Sequence, residues 1–447
     1  MTSALRRAAA FALVGFASLI APVADQLFSP AVATLVAVSP FVLLAAGVHV
    51  IDSGVFFDLF ARPGDRRDGR LYGLAGFSLA IAALVLLAIN FEMPIAVPVA
   101  ATTTLAVGNV GAHLVRATGR EPIVATAGFV VGGFLAGIGS FLLSGSITGI
   151  HPSFPLLIFL AASGSLLAAL LRSMLFERDD PLVILSVGLL LWLFTDLSIS
   201  VTTSGVAIAL AITIALGYVS YALETASLPG MLAGVLLSLL TIVIGDYGWF
   251  AMLITFFGGG GLASKFRYDE KVERGIAQEN SGARGSGNVL ANSLIALFAV
   301  LAAAASPRLT GVTPDLFLFV FAGAVAAAMS DTLSSEFGGL YDAPRLITTL
   351  ERVEPGTDGG VTWQGELAGL AGAGIIAAIA LVGFETITIE GAAVIAASGF
   401  IGMTVDSVLG ATIEGEWVGN QGVNFLATLI AGIAGAVLAL LANVVAV

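Results

Sequence analysis

The stretch Leu71-Tyr-Gly-Leu-Ala-Gly-Phe-Ser-Leu-Ala-Ile-Ala-Ala-Leu-Val-Leu-Leu-Ala-Ile-Asn-Phe91 contains no charged residue. About 20 consecutive apolar residues suffice to cross the hydrocarbon core of a bilayer as a helix, so this stretch predicts a membrane span. Comparable stretches lie before it near 8–24 and 30–50, and after it near 94–115, 122–145, 153–175, 181–202, 204–222, 228–244 and 247–263. A charged segment over 264–287 interrupts, and further spans follow near 288–305, 314–330, 365–383, 391–411 and 423–445. The chain reads as an all-α, polytopic integral membrane helical bundle of about fifteen transmembrane helices. Arg6 and Arg7 ahead of the first apolar run imitate a signal peptide. Because the chain stays apolar afterwards, that run is read as the first span.

Composition points the same way. Of 447 residues, 58% are hydrophobic and only 11% charged, against roughly a quarter charged in soluble domains. The 54 glycines suit closely packed membrane helices. Without any cysteine, disulfides and Cys-based metal sites or nucleophiles are excluded. His49, His113 and His151 are the whole histidine complement, which argues against a multi-His metal centre and leaves hard cations on carboxylates open. The net charge is −12, and Lys265 and Lys271 are the only lysines. Such an acid-rich, lysine-poor surface points to a halophilic archaeon. No basic stripe exists to meet phosphates, so nucleic-acid partners are not expected.

Arg and Lys in short loops set orientation. The clusters at Arg6/Arg7, 62–70, Arg116/Arg120, Arg172/Arg178, 265–284 and Arg345/Arg352 are each separated from the next by an even number of crossings. All six fall on one face, which the rule makes cytoplasmic. The other face carries Asp246, Glu385 and Glu390, with Arg308 as its clear cation. A multi-pass plasma-membrane protein with a cytoplasmic N-terminus and an external C-terminus is expected.

Ionisable residues near membrane depth are costly and tend to mark function. Ser330-Asp-Thr-Leu-Ser-Ser-Glu-Phe-Gly338 directly follows an apolar span. Asp331 shares one helical face with Ser334 and Ser335, three and four residues on. Glu336 is offset by more than a quarter turn and converges only on a broken or deformed helix. Pro344-Arg-Leu-Ile-Thr-Thr-Leu and Pro355-Gly-Thr-Asp-Gly-Gly360 follow. Glycines there could turn backbone N–H groups inward as an anion nest, although such a loop taken alone is better read as an ordinary tight turn. Asp406, in Thr404-Val-Asp-Ser-Val-Leu-Gly-Ala-Thr-Ile-Glu414, lies inside a span. Asn420 and Asn424 are one turn apart, as are Asn288 and Asn292 where another span begins. Either Asn pair alone is better read as interhelical hydrogen bonding.

Together these segments shift the balance. Asp331, Glu336 and Asp406, the cations Arg284 and Arg345, the paired amides and a Gly-rich loop all fall at cytoplasmic span ends. That is the parts list of a metal–polyphosphate site, since Mg²⁺ takes one or two carboxylates plus phosphates. Arg and backbone N–H groups neutralise the charge of phosphoryl transfer. A Walker-type loop is missing, as is any grouped Ser/His/Asp set, which argues against a soluble-type kinase or hydrolase.

From about residue 205 to 447 the chain resembles the transmembrane protein 19 / phytyl-phosphate kinase family. The motifs that carry the resemblance are Gly287-Asn-Val-Leu-Ala-Asn292, the segments opening at Ser330 and Pro344, Pro355-Gly-Thr-Asp-Gly-Gly-Val361 and Val405-Asp-Ser-Val-Leu-Gly-Ala411. The resemblance implies phosphoryl transfer from a nucleoside triphosphate, CTP or ATP, to an isoprenyl monophosphate such as geranylgeranyl or phytyl phosphate, in lipid salvage. More faintly, residues 1–203 resemble the phytol kinase / dolichol kinase family, through Val107-Gly-Asn-Val-Gly-Ala-His-Leu-Val-Arg-Ala-Thr-Gly-Arg120 and Arg178-Asp-Asp-Pro-Leu-Val-Ile-Leu185. Those kinases carry Gly-Asp where this chain has Gly108-Asn109, and Asn where it has Pro181, so this module reads as degenerate and residues 204–447 as the catalytic part.

On that resemblance Asp331 and Asp406 would hold Mg²⁺, with Glu336 as a third ligand or its close partner. Arg345 and Arg284 would bind phosphate oxygens. Asn288, Asn292, Ser335, Asn420 and Asn424 would contact substrate, and Gly356, Thr357, Asp358, Gly359 and Gly360 would cradle the nucleotide. The isoprenyl chain would enter laterally between helices. An acceptor phosphate is largely ionised near neutral pH, its second pKa being about 6, so no general base is needed. Two rivals stand beside this reading: a secondary transporter or lipid flippase, which predicts matching broken helices and a midplane site, and a non-catalytic membrane scaffold.

Overall fold

The computed structural model describes residues 3–197, 199–277 and 285–445, and Arg284 lies outside them. The described residues are all-α apart from one two-stranded hairpin. It divides into two compact units, Met1–Ala207 and Ile208–Val447.

The first unit runs α1 (Ser3–Phe16), α2 (Ile20–Leu27), α3 (Pro30–Gly47), α4 (Gly54–Phe60), α5 (Pro63–Asp68), α6 (Tyr72–Asn90), α7 (Ala96–Arg116), α8 (Pro122–Thr148), α9 (Phe154–Met174) and α10 (Asp180–Asp196). Prolines at the first positions of α3, α5 and α8 start helices where a missing N–H goes unnoticed. Helices α7 and α8 touch backbone to backbone, because a Cβ on Gly111 would lie 2.2 Å from the carbonyl oxygen of Gly128.

Helix α11 (Thr203–Ala222) leads into the second unit. There follow α12 (Leu228–Leu240), α13 (Tyr247–Lys265), α14 (Tyr268–Glu273), α15 (Ser286–Ala305), α16 (Pro314–Gly338), strands β1 (Arg345–Leu346) and β2 (Gly360–Val361), α17 (Trp363–Gly383), α18 (Ile389–Thr412) and α19 (Asn420–Leu441). Helix α16 is the post of this unit, with 72% of its apolar window buried. Glycines bring three helices onto it. A Cβ on Gly372 of α17 would sit 3.0 Å from the Met329 carbonyl oxygen, one on Gly402 of α18 2.4 Å from the Ala327 Cβ, and one on Gly435 of α19 2.4 Å from the Phe319 carbonyl oxygen. Small residues that let backbones meet replace the hydrophobic drive that lipid cannot supply.

Among the described residues, twelve helices are long and apolar enough to cross a membrane. The other three expected spans are helices as well, α7, α10 and α13, of 21, 17 and 19 residues. Helix α10 is one residue short of the 18 that the shortest of the twelve reaches, and polar Thr, Asn and His residues dilute α7.

Candidate functional site

Antiparallel packing in the second unit gathers the C-terminal ends of α16 and α18 with the N-terminal ends of α15, α17 and α19. Contacts at both levels fix this. Gly287 of α15 abuts the Gln421 side chain of α19, and Gly365 of α17 lies against the backbone of Ser334 and Gly338 on α16. Thr362 caps α17, accepting from the Gly365 N–H at 3.2 Å while donating to the Gly338 carbonyl at 3.3 Å. These ends enclose a cavity of ≈ 410 Å³.

Asp331 enters it from α16 and Asp406 from α18. Their carboxyl groups lie within side-chain reach of one another, close enough for one cation or one proton to bridge them. Oδ2 of Asp406 is buried with no hydrogen-bond partner. Ser335 lines the cavity beside Asp331, as the helical spacing requires, together with Thr332 and Ser334.

The 355–360 loop forms the opposite wall, and Gly356, Thr357, Asp358, Gly359 and Gly360 all line the cavity. Gly359 holds it there. Its φ of +74° favours glycine, and a Cβ would meet Ala411 N and Ser407 O of α18, each at 2.6 Å. The N–H groups of Thr357 and Gly360 close turns on the Glu354 and Thr357 carbonyls, at 3.2 and 2.9 Å. Two donors of the expected nest are thus spent on turn structure.

Asn288, Asn292, Asn420 and Asn424 complete the lining. The Asn292 and Asn424 amides bond within their own helices. Asn292 Nδ2 donates to the Asn288 carbonyl at 2.9 Å, and Asn424 Nδ2 to Asn420 Oδ1 at 3.2 Å. Asn420 also bonds Glu414, a lining residue just beyond α18. Burial, and then Asp358 nearby, raise the Glu414 carboxyl above its ordinary range, against the opposing Asn420 bond.

Two expected residues are elsewhere. Helix α16 continues unbroken to Gly338, so Glu336 points away from Asp331. It pairs with Lys271 at 2.5 Å, and both side chains are buried. The Lys271 ammonium also caps α13 by donating to the carbonyls of Ala263 at 2.7 Å and Ser264 at 3.4 Å. Glu336 is therefore a structural partner of Lys271, where the sequence suggested a third ligand or a close partner of the two aspartates. Arg345 is the second correction. In β1 it pairs with Val361 of β2, its exposed side chain donates to the Leu350 carbonyl at 2.6 Å, and it does not line the cavity. Among the described residues, no Lys, Arg or His lines it at all.

Residues missed in the sequence include Glu414 and Lys271. Asp406, Gly410 and Glu414 are spaced four apart, with a glycine leaving the face open, and that spacing was a usable signal. Nothing in the sequence joins Lys271 to Glu336.

In the first unit, the two fainter motifs also meet. Asn109, His113 and Asp180 line a recess of ≈ 20 Å³ with Arg7, Arg62, Arg172 and Glu177. Arg62 fills it. Buried, it pairs with Asp180, donates to the Glu177 carbonyl, and stacks 4.4 Å from the Phe11 ring centre.

Residues 211–432 match the model of the family described as Integral membrane protein DUF92. A membrane protein of Methanocaldococcus jannaschii, described as uncharacterized, is 34% identical over 209 residues, which cover 46% of this chain and 82% of that protein. The chain belongs to the DUF92 family of integral membrane proteins. Protein PGR of Arabidopsis thaliana is 32% identical over 216 residues, 44% of this chain and 74% of that one. Protein VTE6, chloroplastic, of the same plant is 27% identical over 212 residues, 45% of this chain and 61% of that one. The DUF92 match falls within the second unit, over the span where the resemblance was read. No solved structure matches. As a DUF92 member the chain is a multi-pass integral membrane protein.

Proposed function

We propose that the second unit transfers a phosphoryl group from a nucleoside triphosphate to an isoprenyl monophosphate. The observation that carries this reading is the Asp331–Asp406 pair facing a polar cavity large enough for phosphates. The resemblance of the lining motifs to the phytyl-phosphate kinase family supports the substrate class.

The lining residues fit a hard divalent cation. Two adjacent carboxylates, one with an unpartnered oxygen, suit Mg²⁺, which takes one or two protein carboxylates and completes its shell with water and phosphate. The described cavity holds Asp331, Asp358, Asp406 and Glu414 and no basic side chain, so a polyphosphate needs cations to enter. Asp331 and Asp406 would hold Mg²⁺, which would supply charge neutralisation for the transferred group.

The chain's own part is positioning. The N-terminal ends of α15 and α19 border the cavity, where their dipoles favour anionic oxygens. Asn288 and Asn420 offer amides at the same level, and the 355–360 loop limits how the nucleotide lies. The acceptor phosphate is already ionised, so no side chain has to remove a proton. Arg and Lys in the loops would place this face in the cytoplasm, with nucleoside triphosphates. A site at helix ends within one unit supports an enzyme over a transporter, whose site lies at the midplane between repeats. In the first unit Arg62 takes up the recess that a cation would need, which supports a non-catalytic module.

Reconstituted protein supplied with geranylgeranyl phosphate, Mg²⁺ and each nucleoside triphosphate tests the proposal. Isoprenyl diphosphate should form with the wild type and not with Asp331→Asn. No product with any nucleotide, or full activity in Asp331→Asn, overturns it.

A further inference from the structure

A second cavity of the same unit, ≈ 250 Å³, lies between α11, α12 and α13 and reaches Val289 of α15. Its walls are the stretches 216–223, 230–238 and 254–262, so it follows the helices for roughly 12 Å. Leu216, Leu223, Phe257 and Val289 are typical of a lining that is almost wholly apolar. Val289 belongs to its lining, and its neighbour in sequence, Asn288, lines the polar cavity. Helix α15 thus borders the apolar cavity on one face and the polar cavity on the next, one residue step apart.

We infer that this apolar cavity holds the hydrocarbon tail of the phosphate acceptor and sets the length of chain accepted. The inference rests on the phosphoryl-transfer reading. Its own support is the junction at Asn288 and Val289, together with two glycines in the wall. A Cβ on Gly234 of α12 or Gly258 of α13 would meet no atom within 4 Å. Open space on both facing helices leaves a channel, whereas the glycines on α16 serve close packing. An amphiphile with its phosphate beside Asn288 has this channel as the adjacent apolar space for its tail.

Gly234→Leu and Gly258→Leu place bulk in the cavity from positions where a Cβ meets no neighbour, and they test the inference. Each buried methylene contributes about fourfold in affinity. Either variant should therefore raise KM for geranylgeranyl phosphate at least about tenfold. The kcat for dimethylallyl phosphate and the melting temperature should stay at wild-type values. An unchanged chain-length profile in both folded variants overturns the inference. If the wild type phosphorylates no acceptor, the phosphoryl-transfer reading fails separately, and labelling decides the cavity. Geranylgeranyl phosphate carrying a terminal diazirine should crosslink to α12 or α13. Crosslinks confined to α17–α19, or none, overturn the assignment.

Discussion

Lys271 and Glu336 form an ion pair sealed within the second unit, Nζ to Oε2 2.5 Å, with side chains 1% and 5% exposed. Removing one partner strands a charge away from water, which typically costs about 3–5 kcal/mol. Lys271→Met and Glu336→Gln should each lower stability by that order in detergent unfolding. The double variant Lys271→Met/Glu336→Leu should recover part of the loss, but not the cap on the α13 carbonyls of Ala263 and Ser264.

On the proposed reading, Asp331 and Asp406 trade stability for function. Two carboxylates this close repel unless a cation or proton lies between them. Asp406→Asn should therefore raise the melting temperature in chelator while lowering turnover at least about 100-fold. Added Mg²⁺ should stabilise the wild type more than the variant, since a ligand stabilises only the state that binds it. Thermal unfolding with and without Mg²⁺ measures both effects.

Glu414 carries a pH signature. Its raised value keeps it protonated at pH values where exposed glutamates are ionised. Ionisation adds negative charge to the cavity, so cation affinity should rise with pH through a midpoint above the ordinary Glu range. The folded state holds this proton more tightly than the unfolded chain, so without cation its share of stability is present in acid. That share should be lost as pH rises from the ordinary Glu range through the raised value. Glu414→Gln should flatten both profiles, read by Mg²⁺ titration and by unfolding across pH.

Close packing on α16 predicts a third kind of defect. A methyl on Gly435 would stand 2.4 Å from the Phe319 carbonyl oxygen, and backbone cannot swing aside as a side chain can. Gly435→Ala should cost about 1–3 kcal/mol and loosen α19, seen as faster proteolysis of the C-terminal helix. The same change at Gly374, where a Cβ meets nothing within 4 Å, should be neutral.

In the first unit, Arg62→Ala leaves the buried Asp180 without its cation. A loss of about 3–5 kcal/mol is expected, with phosphoryl transfer by the second unit unaffected in the protein that remains folded. Loss of transfer in folded Arg62→Ala would argue against a silent first module.

Spans were legible because length and apolarity dictate them, and stretches such as 71–91 became helices almost residue for residue. The face carrying Asp331 and Ser335 was legible from helical spacing alone. Glu336 was not, since its role depends on whether α16 breaks, and its partner Lys271 is 65 residues away. Arg345 eluded the sequence for a similar reason: pairing between β1 and β2 decides which way it faces. Long-range register is written in packing, and hydropathy does not encode it.

Unbroken α16 presents Asp331 to the cavity and, five residues on, Glu336 to Lys271 on its far side. The helix is therefore locked against rotation, because turning Asp331 toward or away from Asp406 would tear a buried charge from its mate. On the proposed reading, movement in a reaction cycle would fall to connections such as 339–362, part of which lines the cavity, rather than to the post. The non-glycine residues Ala343 and Leu350 of 339–362 sit at φ of 60° and 61°, so this connection also carries backbone tension.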